Sequence, residues 1–296
     1  MGKDSHIKGH ITAFFTVLIW GITFISTKYL LIDFSPIEIL FYRFCLGTIA
    51  LFIVYPRRLK GTTKKQELYF AAAGLCGVTL YYLLENIALT YSTASNVGVI
   101  VSITPIFTVL LATWFLKGEK LKASYFIGFA AAIIGICLIS FNGNMVLKLN
   151  PLGDILALLA AIVWAFYSIL SRQISQFGYN TIQTTRRIFC YGVAFMIPTL
   201  FFFPFEWGIE KFAQPANTLN ILFLGLGASA LCFATWNYSV KLLGAIKTSV
   251  YIYLVPVIAV VASIIVLNES LTWMSALGTG LTLAGLLISE GKNRLG

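Results

Sequence analysis

The chain has 296 residues, of which 58% are hydrophobic and 11% are charged, and its formal net charge is +10. A soluble domain carries about 25% charged residues, so this composition excludes an ordinary soluble protein and predicts a chain embedded in lipid. The five cysteines include no Cys-x-x-Cys pair, and the two histidines both lie near the N terminus. The sequence therefore indicates no disulfide framework, no metal site and no cofactor.

Apolar stretches of about 20 residues, long enough to cross a bilayer, follow one another along the chain. They predict an all-α polytopic membrane protein with ten transmembrane helices, at residues 10–31, 36–55, 67–90, 95–116, 122–141, 151–174, 180–203, 217–240, 247–267 and 272–290. The first stretch is too long for the apolar core of a signal peptide and has no small-residue cleavage pattern. We therefore expect it to remain as the first span.

The basic residues are concentrated in the loops on one side of the predicted topology. With both termini in the cytoplasm, fifteen of the 21 Lys and Arg residues fall in inner loops, and only Lys148 and Lys211 fall in outer loops. This bias obeys the positive-inside rule. We expect a multi-pass protein of the cell (cytoplasmic) membrane with both termini cytoplasmic, and no nucleic acid as a partner.

The second half of the chain repeats the first. Ala94, Pro105, Gly128 and Gly135 recur as Ala245, Pro256, Gly278 and Gly285, and Trp20 and Arg43 recur as Trp164 and Arg187. Each copy holds five predicted helices, an odd number, so the second copy enters the membrane upside down. The sequence predicts a 5+5 inverted-topology repeat, with one unit at residues 1–143 and the other at 144–296.

These repeated residues form a pattern that resembles the signature of EamA-type transporters in the drug/metabolite transporter superfamily. The pattern is Tyr82, Asn86, Ala88, Leu89, Ala94, Pro105, Leu116, Glu119, Leu121, Gly128 and Gly135, with a second copy at Asn237, Ala245, Pro256, Val266, Glu269, Leu271, Gly278 and Gly285. Trp20-Gly21 and Arg43-Phe44 also resemble that family. The resemblance covers nearly the whole chain. It implies a carrier that exports or exchanges small metabolites, and it leaves the metabolite open.

The candidate substrate-binding residues are polar or aromatic side chains inside the predicted spans. They are Trp20, Tyr82, Glu85, Asn86, Trp164, Trp236, Asn237 and Tyr253. The aromatic side chains either line a cavity or pack in the core. The amides either orient a polar solute or join neighbouring helices by hydrogen bonds.

Glu85 is the acid placed most deeply in any predicted span, about five residues or roughly 7 Å from the outer end of its helix. An isolated carboxylate is costly there, so it should be protonated or paired. It is a candidate to carry a coupling proton or to hold a substrate amine. The alternatives are a structural ion pair with Arg43 or Lys28, or a position that reaches the membrane interface.

Pro105 and Pro256 fall in the middle of the fourth and ninth predicted helices. Proline removes a backbone hydrogen bond, so the matched pair indicates either two hinges or two static kinks.

Arg43, Arg187 and the adjacent Arg186 form an anion site or, more simply, a scaffold that pairs with carbonyls. We expect Glu119 and Glu269 to cap or fix loops. Ladders of small residues, including Ala276, Gly280 and Ala284, predict packing surfaces or a dimer contact, although we expect a monomer.

The predicted function is that of a secondary transporter, not an enzyme. It would move a small organic metabolite such as an amino acid, an amine or a drug-like amphipath by alternating access, as an exporter or exchanger. Aromatic rings and one carboxylate favour amphipathic amines and zwitterions. The alternatives are a membrane-embedded enzyme acting on a lipid-linked substrate, for which the chain shows no catalytic constellation, or a proton-coupled importer of the same fold.

Overall fold

A computed structural model of the chain describes residues 3–116, 122–140, 150–258, 261 and 272–290. Within these residues the chain consists of helices joined by loops and has no β-strand, which confirms the predicted all-α fold. The helices are α1 (Lys3–Leu30), α2 (Pro36–Val54), α3 (Lys64–Tyr91), α4 (in two segments, Ala94–Val101 and Thr104–Phe115), α5 (Ala123–Ser140), α6 (Pro151–Ser175), α7 (Thr181–Phe202), α8 (Pro215–Leu243), α9 (Ala245–Ile258) and α10 (Trp273–Glu290).

Length and composition qualify six of these helices, α1, α2, α3, α4, α6 and α8, as membrane spans. Helices α5, α9 and α10 are shorter apolar helices over the residues that the structure describes. Helix α1 begins at Lys3, ahead of the predicted residue 10. The difference arises because helical hydrogen bonding continues past the apolar stretch, into the region where polar side chains meet water.

The helices run alternately between two faces of the bundle. We call the face with the start of α1, the loop 55–63 and the link 176–180 the N face. The opposite face, with residues 31–35, 92–93 and 203–214, is the far face. At the far face, Ser35 and Glu38 form a capping box at the start of α2, with the Ser35 N–H donating to the Glu38 carboxylate at 2.8 Å. At the N face, Gly244 joins α8 to α9 with a φ of 88° that glycine adopts readily.

The two halves interlock because equivalent helices of each half pack against the other half. Helix α1 of the first half packs against α8, and α6 of the second half packs against α3. Hydroxyl groups join α1 to α8, with Thr12 Oγ1 2.7 Å from Ser239 Oγ and Thr16 Oγ1 2.6 Å from Thr235 Oγ1. The first helix of each half therefore lies against the third helix of the other.

Helices α5 and α10 pack antiparallel through glycines, and this contact confirms the inverted repeat. A Cβ on Gly128 would lie 2.5 Å from the Gly285 carbonyl oxygen, and a Cβ on Gly135 would lie 2.5 Å from the Gly278 carbonyl oxygen. Because Gly128 corresponds to Gly278 and Gly135 to Gly285, exchanging the halves turns one contact into the other. A self-matching antiparallel pair requires a two-fold axis perpendicular to both helices, and such an axis lies in the membrane plane.

One detail predicted from the sequence changes, and another lies outside the described residues. The ladder of Ala276, Gly280 and Ala284 is exposed on α10, because the glycines that pack against α5 lie on the opposite side of that helix. The predicted unit boundary at residues 143 and 144 lies outside the described residues, and it stays a prediction.

Wide π-helical turns occur at equivalent places in the two halves, at Leu75–Leu80 in α3 and Phe223–Leu231 in α8. The first follows directly after a glycine crossing at Gly74, and the second contains one at Gly225. A Cβ on Gly74 would lie 2.7 Å from the Gly192 nitrogen of α7, and a Cβ on Gly47 of α2 would lie 3.0 Å from the Gly225 carbonyl oxygen. Such turns are frequent at functional sites, and the sequence pattern gave no sign of them.

Candidate functional site

A cavity lies between the two halves, in the part of the bundle nearer the far face. It encloses about 460 Å³ counted out to its opening. Helices α1, α3 and α4 of the first half and α6 and α9 of the second half contribute its lining. Four of the predicted substrate-binding residues line it: Trp20, Tyr82, Glu85 and Trp164.

An aromatic wall crosses the centre of the bundle beside this cavity. Trp20 and Trp164, which are equivalent in the repeat, meet edge to face with ring centroids 5.2 Å apart. Tyr81 adds a third ring 4.6 Å from Trp164, and the Trp20 indole N–H donates to the Ala228 carbonyl at 3.0 Å. Trp236 lies behind the wall, fully buried, with its centroid 5.0 Å from that of Trp20. The rings pack on one another and still present faces and edges to the cavity.

Glu85 brings a carboxylate to the cavity wall, with 6% of the residue exposed. The Tyr81 hydroxyl donates a hydrogen bond to Glu85 Oε1 at 3.2 Å. Among the described residues the ion pairs are Arg187–Glu67, Lys211–Glu38 and Lys211–Glu206, and Glu85 takes part in none of them.

The two cations proposed as partners of Glu85 are engaged elsewhere. Lys28 donates to the carbonyls of Leu89 and Ser92, where it caps the end of α3. Arg43 Nε donates to Ser229 Oγ at 3.0 Å, and its guanidinium carbon lies 4.3 Å from the centroid of the Tyr82 ring. The structure therefore does not form the ion pair that the sequence left open, because helix ends and an aromatic ring hold both cations.

Helix α4 is interrupted beside the cavity, immediately before the predicted hinge. The chain makes a turn at Ser102 and Ile103, and Pro105 lies in the first turn of the following segment. Proline cannot donate to the carbonyl four residues earlier, and the Thr104 hydroxyl donates to that Val101 carbonyl instead, at 2.6 Å. The proline is therefore at a helix junction rather than in the middle of a continuous helix.

Helix α9 has a matching irregularity. The 3₁₀ turn Tyr251–Tyr253 interrupts it shortly before Pro256. Ile252 and Val255 of α9 line the cavity, as Val101 and Ser102 of α4 do. Both junctions thus border the cavity, although the hinge itself stays a prediction.

The remaining predicted residues lie away from the cavity. Asn86 is fully buried and donates to the Pro36 carbonyl at 3.0 Å. Asn237 accepts hydrogen bonds from Tyr167 and Ser171, both at 2.7 Å, and donates to Thr185. The two asparagines are equivalent in the repeat, yet each joins helices within its own half.

Tyr253 is 2% exposed and does not line the cavity. Several residues that line the cavity were not predicted from the sequence, among them Thr23, Phe24 and Gly98. Thr23 and Phe24 lie one helical turn after Trp20, so helical periodicity was the available signal. No comparable signal pointed to Gly98. A Cβ added there would meet no atom within 4 Å, so this glycine leaves open space in the wall.

The other two arginines serve as scaffold groups at the N face. Arg187 holds Glu67 through two hydrogen bonds of 2.9 Å. Arg186 donates to the carbonyls of Tyr55 and Arg57. These contacts match the scaffold interpretation rather than an anion site. Glu119 and Glu269 lie outside the described residues.

The bundle is closed between the cavity and the N face. Val109 of α4, Ile169 of α6 and Ile246 of α9 belong to one buried apolar cluster there. His10 Nδ1 of α1 lies 2.7 Å from the Tyr251 hydroxyl of α9. The described residues therefore form a cavity between halves whose N-face side is sealed.

Comparison with known proteins shows the family to which this chain belongs. The sequence model of the EamA-like transporter family matches residues 7–141 and again residues 151–290. An uncharacterized transporter of Archaeoglobus fulgidus is 29% identical over 300 residues, covering 96% of this chain and 98% of that protein. A probable terminal-alkyne amino-acid exporter of Streptantibioticus cattleyicolor is 26% identical over 274 residues, covering 92% of this chain and 90% of that protein.

A solved crystal structure shares the fold, with a TM-score of 0.76 at 19% identity over 97% of this chain and 99% of that chain. The two family matches together span nearly the whole sequence and coincide with the two halves of the bundle. The chain belongs to the EamA-like transporter family of the drug/metabolite transporter superfamily, and it is a multi-pass membrane transporter.

Proposed function

We propose that the protein is a secondary carrier that moves a small organic solute across the cell membrane by alternating access, as an exporter or exchanger. The observation that supports this proposal is the cavity between the halves, which aromatic rings and one carboxylate line, as is typical of small-molecule sites. Its position near a pseudo-two-fold axis is the place where inverted-repeat carriers bind their substrates. The five-helix units at 1–143 and 144–296 would supply equivalent helices on the two sides of this cavity.

The chemistry of the wall favours a solute that carries an amine. Glu85 is the only formally charged side chain among the residues that line the cavity. Among the described residues Glu85 has no cation within ion-pair distance, so it can accept a substrate ammonium group, and the faces of Trp20 and Trp164 attract organic cations. Amines, amino acids and amino-bearing amphipaths all meet this requirement. The name of the Streptantibioticus relative supports an amino acid.

The sealed N-face side supports a proposal about the transport cycle. The bias of basic loops favours a cytoplasmic N face, and the cavity would then belong to an outward-facing form. Access from the cytoplasm requires the N-face parts of α4 and α9 to separate from α6 and α1. The junctions before Pro105 and Pro256 are the positions where these helices can bend.

A second candidate is proton coupling at the same carboxylate. Glu85 is buried, accepts one hydrogen bond from Tyr81 and has no cation within ion-pair distance among the described residues. Such a group is able to bind a proton when the substrate leaves it, and an exchange of amine for proton then follows.

The test is a thermal-shift screen of amines, amino acids and organic acids on purified protein, followed by flux of the best ligand in liposomes. A ligand that binds the folded state raises its melting temperature with occupancy. In Glu85→Gln the affinity for an amine should fall at least tenfold, because the substitution keeps the size of the side chain and removes its charge.

Loss of pH-driven uptake with unchanged exchange and affinity would instead assign Glu85 to proton coupling. Glu210→Gln is a matched control, because Glu210 is exposed in the link between α7 and α8. Turnover of a lipid substrate without any solute flux would contradict the carrier. Wild-type affinity and wild-type pH response in Glu85→Gln would remove Glu85 from the site.

A further inference from the structure

The link between α7 and α8, residues 203–214, carries large apolar side chains on its outer surface at the far face. Trp207 is 66% exposed and Ile209 is 80% exposed. Phe201 and Phe202, at the end of α7, are 84% and 82% exposed. Exposed apolar surface of this kind marks a contact with a partner or a membrane, and the proposed transport cycle gives it no role.

The inner side of the link is fixed to the start of α2. The Glu206 N–H donates to Glu38 Oε1 at 2.8 Å. Phe212 packs edge to face against Phe34 and Tyr42, with ring centroids 5.3 Å and 5.0 Å apart. The link therefore lies against the bundle and does not extend away from it.

The length of α2 gives the depth of the link in the membrane. Helix α2, Pro36–Val54, has 19 residues and qualifies as a membrane span. At about 1.5 Å per residue it is roughly 28 Å long, close to the hydrocarbon core of about 30 Å. The first turn of α2 therefore lies near the boundary between acyl chains and headgroups, and the link that bonds to Glu38 in this turn lies at the same depth.

The charged side chains of the link suit that boundary. Its one cation, Lys211, lies 3.4 Å from the Glu206 carboxylate. Glu206 and Glu210 are exposed, and they precede and follow Trp207 and Ile209 in the chain. In the interface, tryptophan and aliphatic side chains can reach the acyl boundary while carboxylates stay with water and headgroups.

The first half of the chain shows that the fold does not require an aromatic link. The equivalent connection, residues 55–63, contains no tryptophan or phenylalanine and carries Arg57, Arg58 and Lys60 instead. The exposed apolar side chains are therefore specific to the far face, and they need a reason other than the connection of two helices.

Two observations favour lipid as the partner of this surface. Apolar exposure continues from the body of α7, where Ile197 is 51% exposed, through Phe201 to the link. A second copy of the chain suits the surface less well, because a two-fold contact would bring the exposed carboxylates of Glu206 and Glu210 close to those of the other copy.

We propose that the link 203–214 is an interfacial anchor, in which Trp207 and Ile209 insert into the bilayer at the boundary between headgroups and acyl chains. The anchor would hold the far-face ends of α2, α7 and α8 at a fixed depth. The proposal is independent of the transported solute and of the side of the membrane that the far face meets.

The experiment measures tryptophan fluorescence of the full chain in phosphatidylcholine vesicles. The difference between the wild type and Trp207→Phe gives the emission of this one indole. Lipid brominated near the carbonyl end of its acyl chains should quench most of this emission, and more than lipid brominated at the chain terminus. Iodide present on both sides of the membrane should quench little of it. Trp207→Phe should keep the wild-type melting temperature, because phenylalanine can also pack against Phe205, whose ring centroid lies 4.9 Å from that of Trp207.

The matched control places an indole in the equivalent basic loop. Arg58→Trp, made in the Trp207→Phe background at an exposed position, should respond to iodide more than to brominated lipid. Quenching of Trp207 by iodide instead of lipid would overturn the anchor, and stronger quenching by the deeper bromines would contradict an interfacial depth. Protection of Trp207 from both quenchers would also overturn the proposal, because another protein surface would then cover the link.

Discussion

Replacing Gly98 by leucine should fill the central cavity without disturbing the packing of the bundle. Gly98 lines the cavity, and a Cβ built on it meets no atom within 4 Å. Leucine exceeds glycine in helix propensity by up to about 1 kcal/mol, so the melting temperature should stay the same or rise. A ligand that occupies the cavity would overlap the new side chain. We expect its affinity to fall at least about tenfold, which corresponds to about 1.4 kcal/mol.

The assay pairs this variant with Gly280→Leu. Gly280 also has no neighbour within 4 Å of an added Cβ, but it lies on the exposed side of α10. Both variants gain the same helix propensity, so a comparison of ligand affinity and liposome flux isolates the occupation of the cavity. Normal affinity and flux in a stable Gly98→Leu protein would refute the assignment of this cavity as the substrate site.

Three further predictions concern the scaffold and the cycle. Replacing Pro105 and Pro256 together by alanine should slow transport more than it weakens substrate affinity, because restored backbone hydrogen bonds stiffen both junctions; normal flux in this double variant would make them static kinks. A cysteine introduced at the exposed Gln214 should react with an impermeant thiol reagent in intact cells. A C-terminal tag should bind its antibody only after the cells are permeabilised. The reverse pattern would contradict a cytoplasmic N face. Gly135→Ala should destabilise the protein by about 1–3 kcal/mol in chemical denaturation, because its Cβ would lie 2.5 Å from the Gly278 carbonyl oxygen; Gly280→Ala is the control that should not.

Several contacts of the candidate site were predictable because repetition carries positional information. Trp20 and Trp164 occupy equivalent positions in two inverted copies, and residues near an axis between the copies meet each other. Their rings are in fact in contact. The glycines of α5 and α10 follow the same reasoning, since two-fold contacts are built from matching residues. Glu85 stood out because a carboxylate inside an apolar span is rare.

The sequence by itself determined the all-α class, the membrane location, the number of helices and the inversion of the second half. These properties depend on composition, on the length of apolar runs and on the odd number of helices in each repeat. All of these can be counted along the sequence. The choice of hydrogen-bond partners is different, because it depends on which helix lies alongside.

Only the tertiary structure decided that Asn86 and Asn237 bind within their own halves, although their spacing in the repeat is the same. It also decided that Arg43 lies over Tyr82 and bonds to Ser229, and that Glu85 takes part in none of the ion pairs of the described residues. Helical periodicity tells which face of a helix is buried, but the neighbour across that face is set by the crossing of helices distant in sequence. For the same reason the sequence did not indicate the open space beside Gly98. That space exists because no neighbouring helix places a side chain there.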